Sequence, residues 1–410
     1  MNKMTTTKIS PRIELCEPDI GAIEKKWVAN CIASGFVSSV GPMIADFEQL
    51  FAAYTGARYA IATASGTAAI HASLRAIGLA AGSSAIVQDL TFVATANPVL
   101  YCGAETVFID IEPTSWGMDP RLLDAVLARL KREGRLPSVI IPVHLYGGAC
   151  DIANITETAA RFGVCVIEDA TESLGAYISG KHVGTFGNMG CFSFNGNKLI
   201  TTGCGGMIVT DDRKLAERVR YLVNQARDTA ANYIHSEMGF NYRISNLAAA
   251  LGIAQIGRIE DILEKKRLIA DRYETDLKGM PGITPYQRRN GIKSSHWMNS
   301  LLLDSRKERD SLLEYLSLNG ITARRFFEPL HKQPYLKSGL WVTGSSDACL
   351  AKQGFSDDIS ERGINIPSSA SLNIHDQNKV ISAIKSWTCH AKQTYSCSSD
   401  QEIQPRKKAS

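Results

Sequence analysis

The sequence predicts an α/β protein: a large, mostly parallel sheet flanked by helices, then a smaller α+β C-terminal part. Three observations predict it. Between Tyr59 and Asp212, short β-branched runs alternate with stretches of helical period. After Asp212 the pattern changes to long helices, and from Met280 to Trp387 it becomes shorter in period and mixed. The βαβ alternation implies parallel strands with helices on both faces.

Tyr59 to Ala64 (YAIATA) reads as a strand, and Thr67 to Leu79 as a helix with Ile70, Leu74 and Ile77 at helical spacing. Ala85 to Val87 is a short strand before a helix near Phe92 to Tyr101. Thr106 to Ile111 is a strand and Pro120 to Arg132 a helix. Ser138 to Val143 and Val164 to Glu168 are again strands, with a helix over Ile152 to Phe162 between them. Cys191 to Phe194 and Met207 to Thr210 add two strands near the sheet edge, and helices follow over Leu215 to Ala226 and Asn246 to Leu277. The expected organisation is a lead and large domain over 1–255, and a small domain with a linking helix over 256–388. The tail 389–410, rich in Ser, Gln, Lys and Thr, is expected to be disordered.

At 410 residues the chain is long enough for two packed domains. Apolar residues are 44% and charged residues 21%, as in a globular protein. The net charge of +4 is small, and part of it sits in Arg406, Lys407 and Lys408, which argues against nucleic-acid binding. The ten cysteines form no CxxC pair, so neither a zinc site nor a disulfide framework is expected, and a reduced, cytoplasmic setting is. No uncharged run reads as a membrane span, and Met1 to Ser10 holds no apolar leader.

Ligands of open α/β sheets sit beyond the carboxyl ends of the strands, so residues just after each strand come first. Ser65-Gly66-Thr67 lies between a strand and a helix, where free N–H groups and the helix dipole attract a phosphate; an ordinary helix cap has the same lettering. Asp169 follows the strand VCVIE. A carboxylate there keeps a pyridine nitrogen protonated, or merely caps a helix. Ser193 opens SFNGNK, a strand running into a polar turn that ends in Lys198, and a desolvated lysine amine condenses with an aldehyde. Each feature has a bland reading; their conjunction in this order points to pyridoxal 5′-phosphate.

Five stretches carry a wider likeness: GPMIADFEQLFAAYTGARYAIATASGTAAI (Gly41 to Ile70), PVHLYG (Pro142 to Gly147), VIEDATESLGAY (Val166 to Tyr177), GTFGNMGCFSFNGNKLITTGCGGMIVTDD (Gly184 to Asp212) and MGFNYRISNLAAALG (Met238 to Gly252). Through them, over roughly Ile13 to Trp387, the sequence resembles the DegT/DnrJ/StrS sugar aminotransferases, which have the aspartate-aminotransferase-like type I fold. FNGNKLITTG, TESLG, VSSVG and SSHWMNSLLLD look most like the branch acting on UDP-4-keto-6-deoxy-N-acetylhexosamines in legionaminic acid and bacillosamine pathways.

The resemblance implies that Lys198 carries the cofactor, Asp169 pairs with its ring nitrogen, and Gly66, Thr67 and Ser193 hold its phosphate, while Phe92 stacks on the ring. Glu172 stands where many relatives carry Gln beside the phenolic oxygen; two anions there repel, so a protonated or turned-aside carboxyl is expected. Asn241 and Arg243, in NYR, are expected to reach the neighbouring subunit's site in a homodimer, and His331 to approach the sugar or to be a capping histidine. His144 supports the site's wall or is simply a hydrogen-bonded core residue. Gly203-Cys204-Gly205-Gly206 reads as a tight turn behind the lysine. The loop Gly82 to Asp89 departs from the acidic turn and proline usual in relatives. The implied reaction takes an amino group from L-glutamate and gives it to a nucleotide-linked keto sugar, the runner-up acceptors being GDP- or dTDP-linked 4-keto-6-deoxyhexoses. Of the rivals, a sugar dehydratase carries His where Lys198 stands, a cofactor-binding regulator needs an output module, and an amino-acid aminotransferase is disfavoured by the NYR segment.

Overall fold

Eight strands form the large sheet of the computed structural model, which describes residues 12–229, 233–286, 291–337, 339–343 and 354–399. They are β1 (Tyr59–Thr63), β2 (Ser84–Gln88), β3 (Glu105–Ile109), β4 (Val139–Ile141), β5 (Cys165–Asp169), β6 (Met189–Ser193), β7 (Gly206–Thr210) and β8 (Leu340–Val342). Their order is β1-β7-β6-β5-β4-β2-β3-β8. All pairings are parallel except those of β7, which is antiparallel to both neighbours.

Side chains alternate across the sheet because a strand has a period of two. Val87, Phe108, Ile141 and Ile167 meet Ile70 and Leu74 of the helix Gly66–Ala76 on one face. Their chain neighbours Ile86, Val107, Ile140 and Val166 meet Leu123, Leu127 and Ile155 on the other. Both faces are therefore dry, and each large side chain so buried contributes about 1.5–3 kcal/mol. The helices start where the sequence caps them: Ser65 accepts from the N–H of Ala68, and Asp119 from that of Arg121, with Pro120 in the first turn. Among the described residues no helix is long and apolar enough to cross a membrane.

A second, antiparallel sheet joins Ile283–Pro285, Asn299–Leu303, Gly363–Ile366 and Arg324–Arg325, and packs on the helices Ile259–Leu277, Arg306–Leu318 and Ile374–Ser399. The chain passes between the two sheets more than once. Ile13 of the lead pairs with Ile321, and β8 crosses back to extend the large sheet beside β3.

Three elements differ from expectation. The helix expected near Phe92 to Tyr101 is a 3-10 turn over Val93–Thr95 and a short helix over Asn97–Tyr101, split where Pro98 lacks an N–H. The long helix expected from Asn246 divides into Asn246–Ile256 and Ile259–Leu277. At the break, Arg258 leaves helical geometry and its guanidinium reaches Asp19 at 2.9 Å and Glu24 at 3.0 Å. The tail expected to be disordered begins inside the helix Ile374–Ser399, and residues 400–410 lie outside those described.

The turn before β6 is backbone against backbone: a Cβ on Gly190 would stand 1.9 Å from the carbonyl oxygen of Gly184. Gly190→Ala is therefore expected to lower stability by at least the ~1–3 kcal/mol of an overpacked core. A melting temperature equal to that of the parent protein would refute this reading of the turn.

Candidate active site

The carboxyl ends of β1, β2, β5 and β6 open on one cavity of about 320 Å³. Ser65, Gly66, Thr67, Phe92, Thr95, Asp169, Glu172, Ser193 and Lys198 all line it, so seven of the residues picked from the sequence converge there: Gly66, Thr67, Phe92, Asp169, Glu172, Ser193 and Lys198. A void of about 40 Å³ near Trp116 and Tyr286 is too small to compete.

One end of the cavity is a cradle of close backbone. A Cβ on Gly66 would meet the Ser193 Cβ at 2.8 Å and its Oγ at 3.1 Å, and one on Gly206 would meet the Ser65 carbonyl oxygen at 2.4 Å. Gly203, at φ +78°, turns the chain back toward that approach, as expected for a tight turn behind the lysine. The first N–H groups of a helix have no intrahelical partner, so the start of Gly66–Ala76 offers donors, with the Thr67 and Ser193 hydroxyls beside them.

Asp169 lies at the opposite side, 3% exposed. Its Oδ2 accepts from the Thr95 hydroxyl at 2.7 Å, and its Oδ1 from the N–H of Thr171 at 3.1 Å. Thr95 is in turn 2.9 Å from the Thr91 hydroxyl. These bonds fix the carboxylate's orientation, and among the described residues no cationic side chain pairs with it.

Lys198 ends a turn in which its N–H donates to the Asn195 carbonyl at 2.9 Å. Its Nζ stands 4.1 Å from the centre of the Trp297 ring and 3.5 Å from Glu172 Oε1. Trp297 is held from two directions. Its indole N–H donates to the Asn197 carbonyl at 2.6 Å, and the left-handed Gly147 (φ +94°) lets its backbone approach where a Cβ would be 2.5 Å from the Trp297 nitrogen. Burial pushes the Glu172 carboxyl above its ordinary range, with Lys198 and the N–H of Tyr146 working the other way. Glu172 is thus turned onto Tyr146 and Lys198.

Phe92 is half exposed at the mouth, its ring 5.6 Å from that of Phe327. Asn241 bridges to Asn224 and Arg243 to Thr63, beside the end of β1, and neither lines this chain's own cavity. His331 does not enter the cavity lining either. Its ring is clamped by Asp89, 2.7 Å from Nδ1, faces Asp357 at 3.5 Å and stacks on Trp341 at 3.9 Å. Three partners hold it as a strut between β2 and the C-terminal segment. His144 is a core residue behind the wall, its Nε2 2.9 Å from Glu168.

Sequence reasoning missed Thr95, Thr171, Trp297 and Arg324. Arg324 lines the cavity, and its Nε and Nη2 are buried without a hydrogen-bond partner. Thr95 was within reach, three residues after Phe92 in LTFVAT; Trp297 and Arg324 arrive from the second sheet and carry no local signal.

Burial raises the Glu172 carboxyl, and to the extent that it keeps its proton its charge is dispensable. Glu172→Gln is expected to retain turnover within roughly threefold and to leave the neutral-pH rate profile unmoved, since one neutral group replaces another. A loss of a hundredfold or more would mean that the anion is required.

Comparison with known proteins accords with this geometry. The model of the DegT/DnrJ/EryC1/StrS aminotransferase family matches residues 18–385. EpsN of Bacillus subtilis is 38% identical over 386 residues, covering 92% of this chain and 98% of its own. The GDP-perosamine synthase of Vibrio cholerae is 36% identical over 378 residues, covering 92% and 99%. The crystal structure of a DegT DnrJ EryC1 StrS aminotransferase from Brucella abortus matches with a TM-score of 0.82 at 31% identity, covering 89% of this chain and 95% of that one. The chain belongs to the DegT/DnrJ/EryC1/StrS aminotransferase family, and its cofactor is pyridoxal 5′-phosphate.

Proposed function

We propose that the enzyme transfers an amino group from L-glutamate to the 4-keto carbon of a nucleotide-linked 4-keto-6-deoxy sugar. The observation that carries this reading is Lys198, partly buried in a cavity that also holds the backbone cradle at Gly66 and a carboxylate, Asp169, with no cationic side-chain partner among the described residues. Bound there, pyridoxal phosphate supplies an aldehyde and an electron-withdrawing ring. Gly66, Thr67 and Ser193 are matched to its phosphate, Asp169 to its ring nitrogen and Phe92 to one ring face. Lys198 Nζ is the base that takes the donor's α-proton and returns a proton to the sugar carbon, with Trp297 limiting where the amine can swing. Arg324, the cavity's second cation, is matched to a carboxylate of the donor.

For the acceptor we favour a GDP-linked 4-keto-6-deoxyhexose, because a GDP-perosamine synthase resembles this chain over nearly its whole length. A UDP-linked N-acetylated keto sugar is the second reading, favoured by FNGNKLITTG and SSHWMNSLLLD. Asn241 and Arg243, lying off their own chain's cavity, suit a homodimer in which each chain completes its partner's site.

The deciding experiment loads the enzyme as its pyridoxamine form and offers each keto sugar separately while the visible spectrum is followed. The GDP-linked sugar is expected to restore the aldehyde form fastest, and Lys198→Ala to abolish the change. Arg324→Gln should raise the KM for glutamate on the order of tenfold and spare the sugar half-reaction. If 2-oxo acids alone restore the spectrum, the sugar reading fails.

The shared site is tested by mixing Lys198→Ala with Asn241→Asp, each inactive by itself. Random subunit exchange pairs half the dimers as hybrids with one intact site each, so about a quarter of all sites should recover. A mixture that exchanges by mass yet stays inactive would exclude it.

A further inference from the structure

Behind Trp297 a buried amine faces a thiol. Lys266, in the helix Ile259–Leu277, is 2% exposed, and its Nζ donates to the carbonyls of Trp297 at 2.9 Å and Ser368 at 2.7 Å. Its remaining neighbour is Cys16 Sγ at 3.7 Å. Among the described residues no carboxylate pairs with Lys266, which is unusual for a fully buried lysine. Burial lowers its pKa, against the pull of Cys16, so the nucleophilic free amine is more accessible than on an exposed lysine. Cys16 is partly exposed. Its thiol donates to the Asn197 carbonyl at 3.2 Å, the same oxygen that the Trp297 indole binds.

We propose that Cys16 and Lys266 form an oxidative modification site, closing under peroxide to a reducible covalent bond between Sγ and Nζ. In the first step the Cys16 sulfur displaces water from hydrogen peroxide and becomes a sulfenic acid, oxidised by two electrons as the peroxide is reduced. In the second the Lys266 lone pair attacks that sulfur, the S–O bond breaks, and hydroxide leaves with an amine proton as a second water. One thiol, one amine and one peroxide thus give one S–N bond and two waters. Two equivalents of an external thiol reverse it. Forming the bond draws Lys266 off the Trp297 and Ser368 carbonyls and removes the thiol donor from Asn197. Asn197 precedes Lys198 and Trp297 covers it, so the cross-link disturbs the catalytic amine from behind.

The test treats the holoenzyme with about one equivalent of hydrogen peroxide, blocks free thiols, and maps peptides by mass. The Cys16 and Lys266 peptides are expected joined, about 2 Da below their summed mass for the two hydrogens lost, and separated by dithiothreitol. Turnover should fall on the order of tenfold and return on reduction. Lys266→Arg keeps the cation and its carbonyl bonds but has no nucleophilic amine, so Cys16 should stop at the sulfenic acid. Cys16→Ser should resist peroxide relative to its own untreated rate. Cys16 oxidised beside a free Lys266 amine in the native protein would overturn the proposal, as would the same reversible loss in Lys266→Arg. The mass readout needs no substrate, so it stands or falls apart from the choice of keto sugar.

Discussion

The site depends on a carboxylate that never touches it. Glu168 is fully buried and accepts from the N–H groups of Gly184, Phe186 and Gly187 at 2.7, 2.6 and 2.6 Å, and lies 2.9 Å from His144 Nε2. A buried charge is tolerable only when its lone pairs are filled. His144 fills the last of them: its Nδ1 accepts from the N–H of Cys150 at 3.3 Å, which leaves the proton on Nε2 for Glu168. One side chain thereby ties β5 to the loop that delivers β6 with Ser193, and to the turn that delivers Tyr146. Because successive residues of a strand face opposite ways, fixing Glu168 on one side aims Asp169 into the cavity on the other.

The second sheet closes what the first one opens. Trp297 precedes the strand Asn299–Leu303 and Arg324 begins the strand Arg324–Arg325, so both walls move with that sheet. Lys266 ties its helix to the same wall through the Trp297 and Ser368 carbonyls. The catalytic amine is therefore gripped between the two sheets, with Glu172 from one and Trp297 from the other.

What the sequence made legible follows from how local each cause is. A strand buried on both faces must be a short apolar run, and residues at the carboxyl ends of such strands open on the cavity, so β1, β5 and β6 and the residues Ser65 to Thr67, Asp169, Ser193 and Lys198 are legible directly. Helix ends were less legible. Pro98 is a local signal for the break in its own helix, whereas the break at Arg258 depends on Asp19 and Glu24, more than two hundred residues earlier. His331 illustrates the same limit. Its letter and position say nothing of Asp89, Asp357 and Trp341, which only the fold gathers around it.

Charge then decides what the cavity asks of its ligands. Of its two acids, Asp169 is oriented by neutral donors and keeps its charge for a cationic partner, while Glu172 is drawn toward the neutral form. Of its two bases, Lys198 has Glu172 and the Trp297 face. Arg324 has the Phe327 face at 5.2 Å, yet two of its nitrogens have no hydrogen-bond acceptor among the described residues. On the proposed placement a protonated pyridine ring would answer Asp169, and its phosphate would lie at the Gly66 cradle on another wall. The anion for Arg324 has to come with a substrate, and a carboxylate, planar and small, matches two buried N–H donors better than a diphosphate that must lead outward to a nucleoside. The cavity is in that sense incomplete without an amino acid in it, which is what a transaminase alternating between two substrates requires of its first.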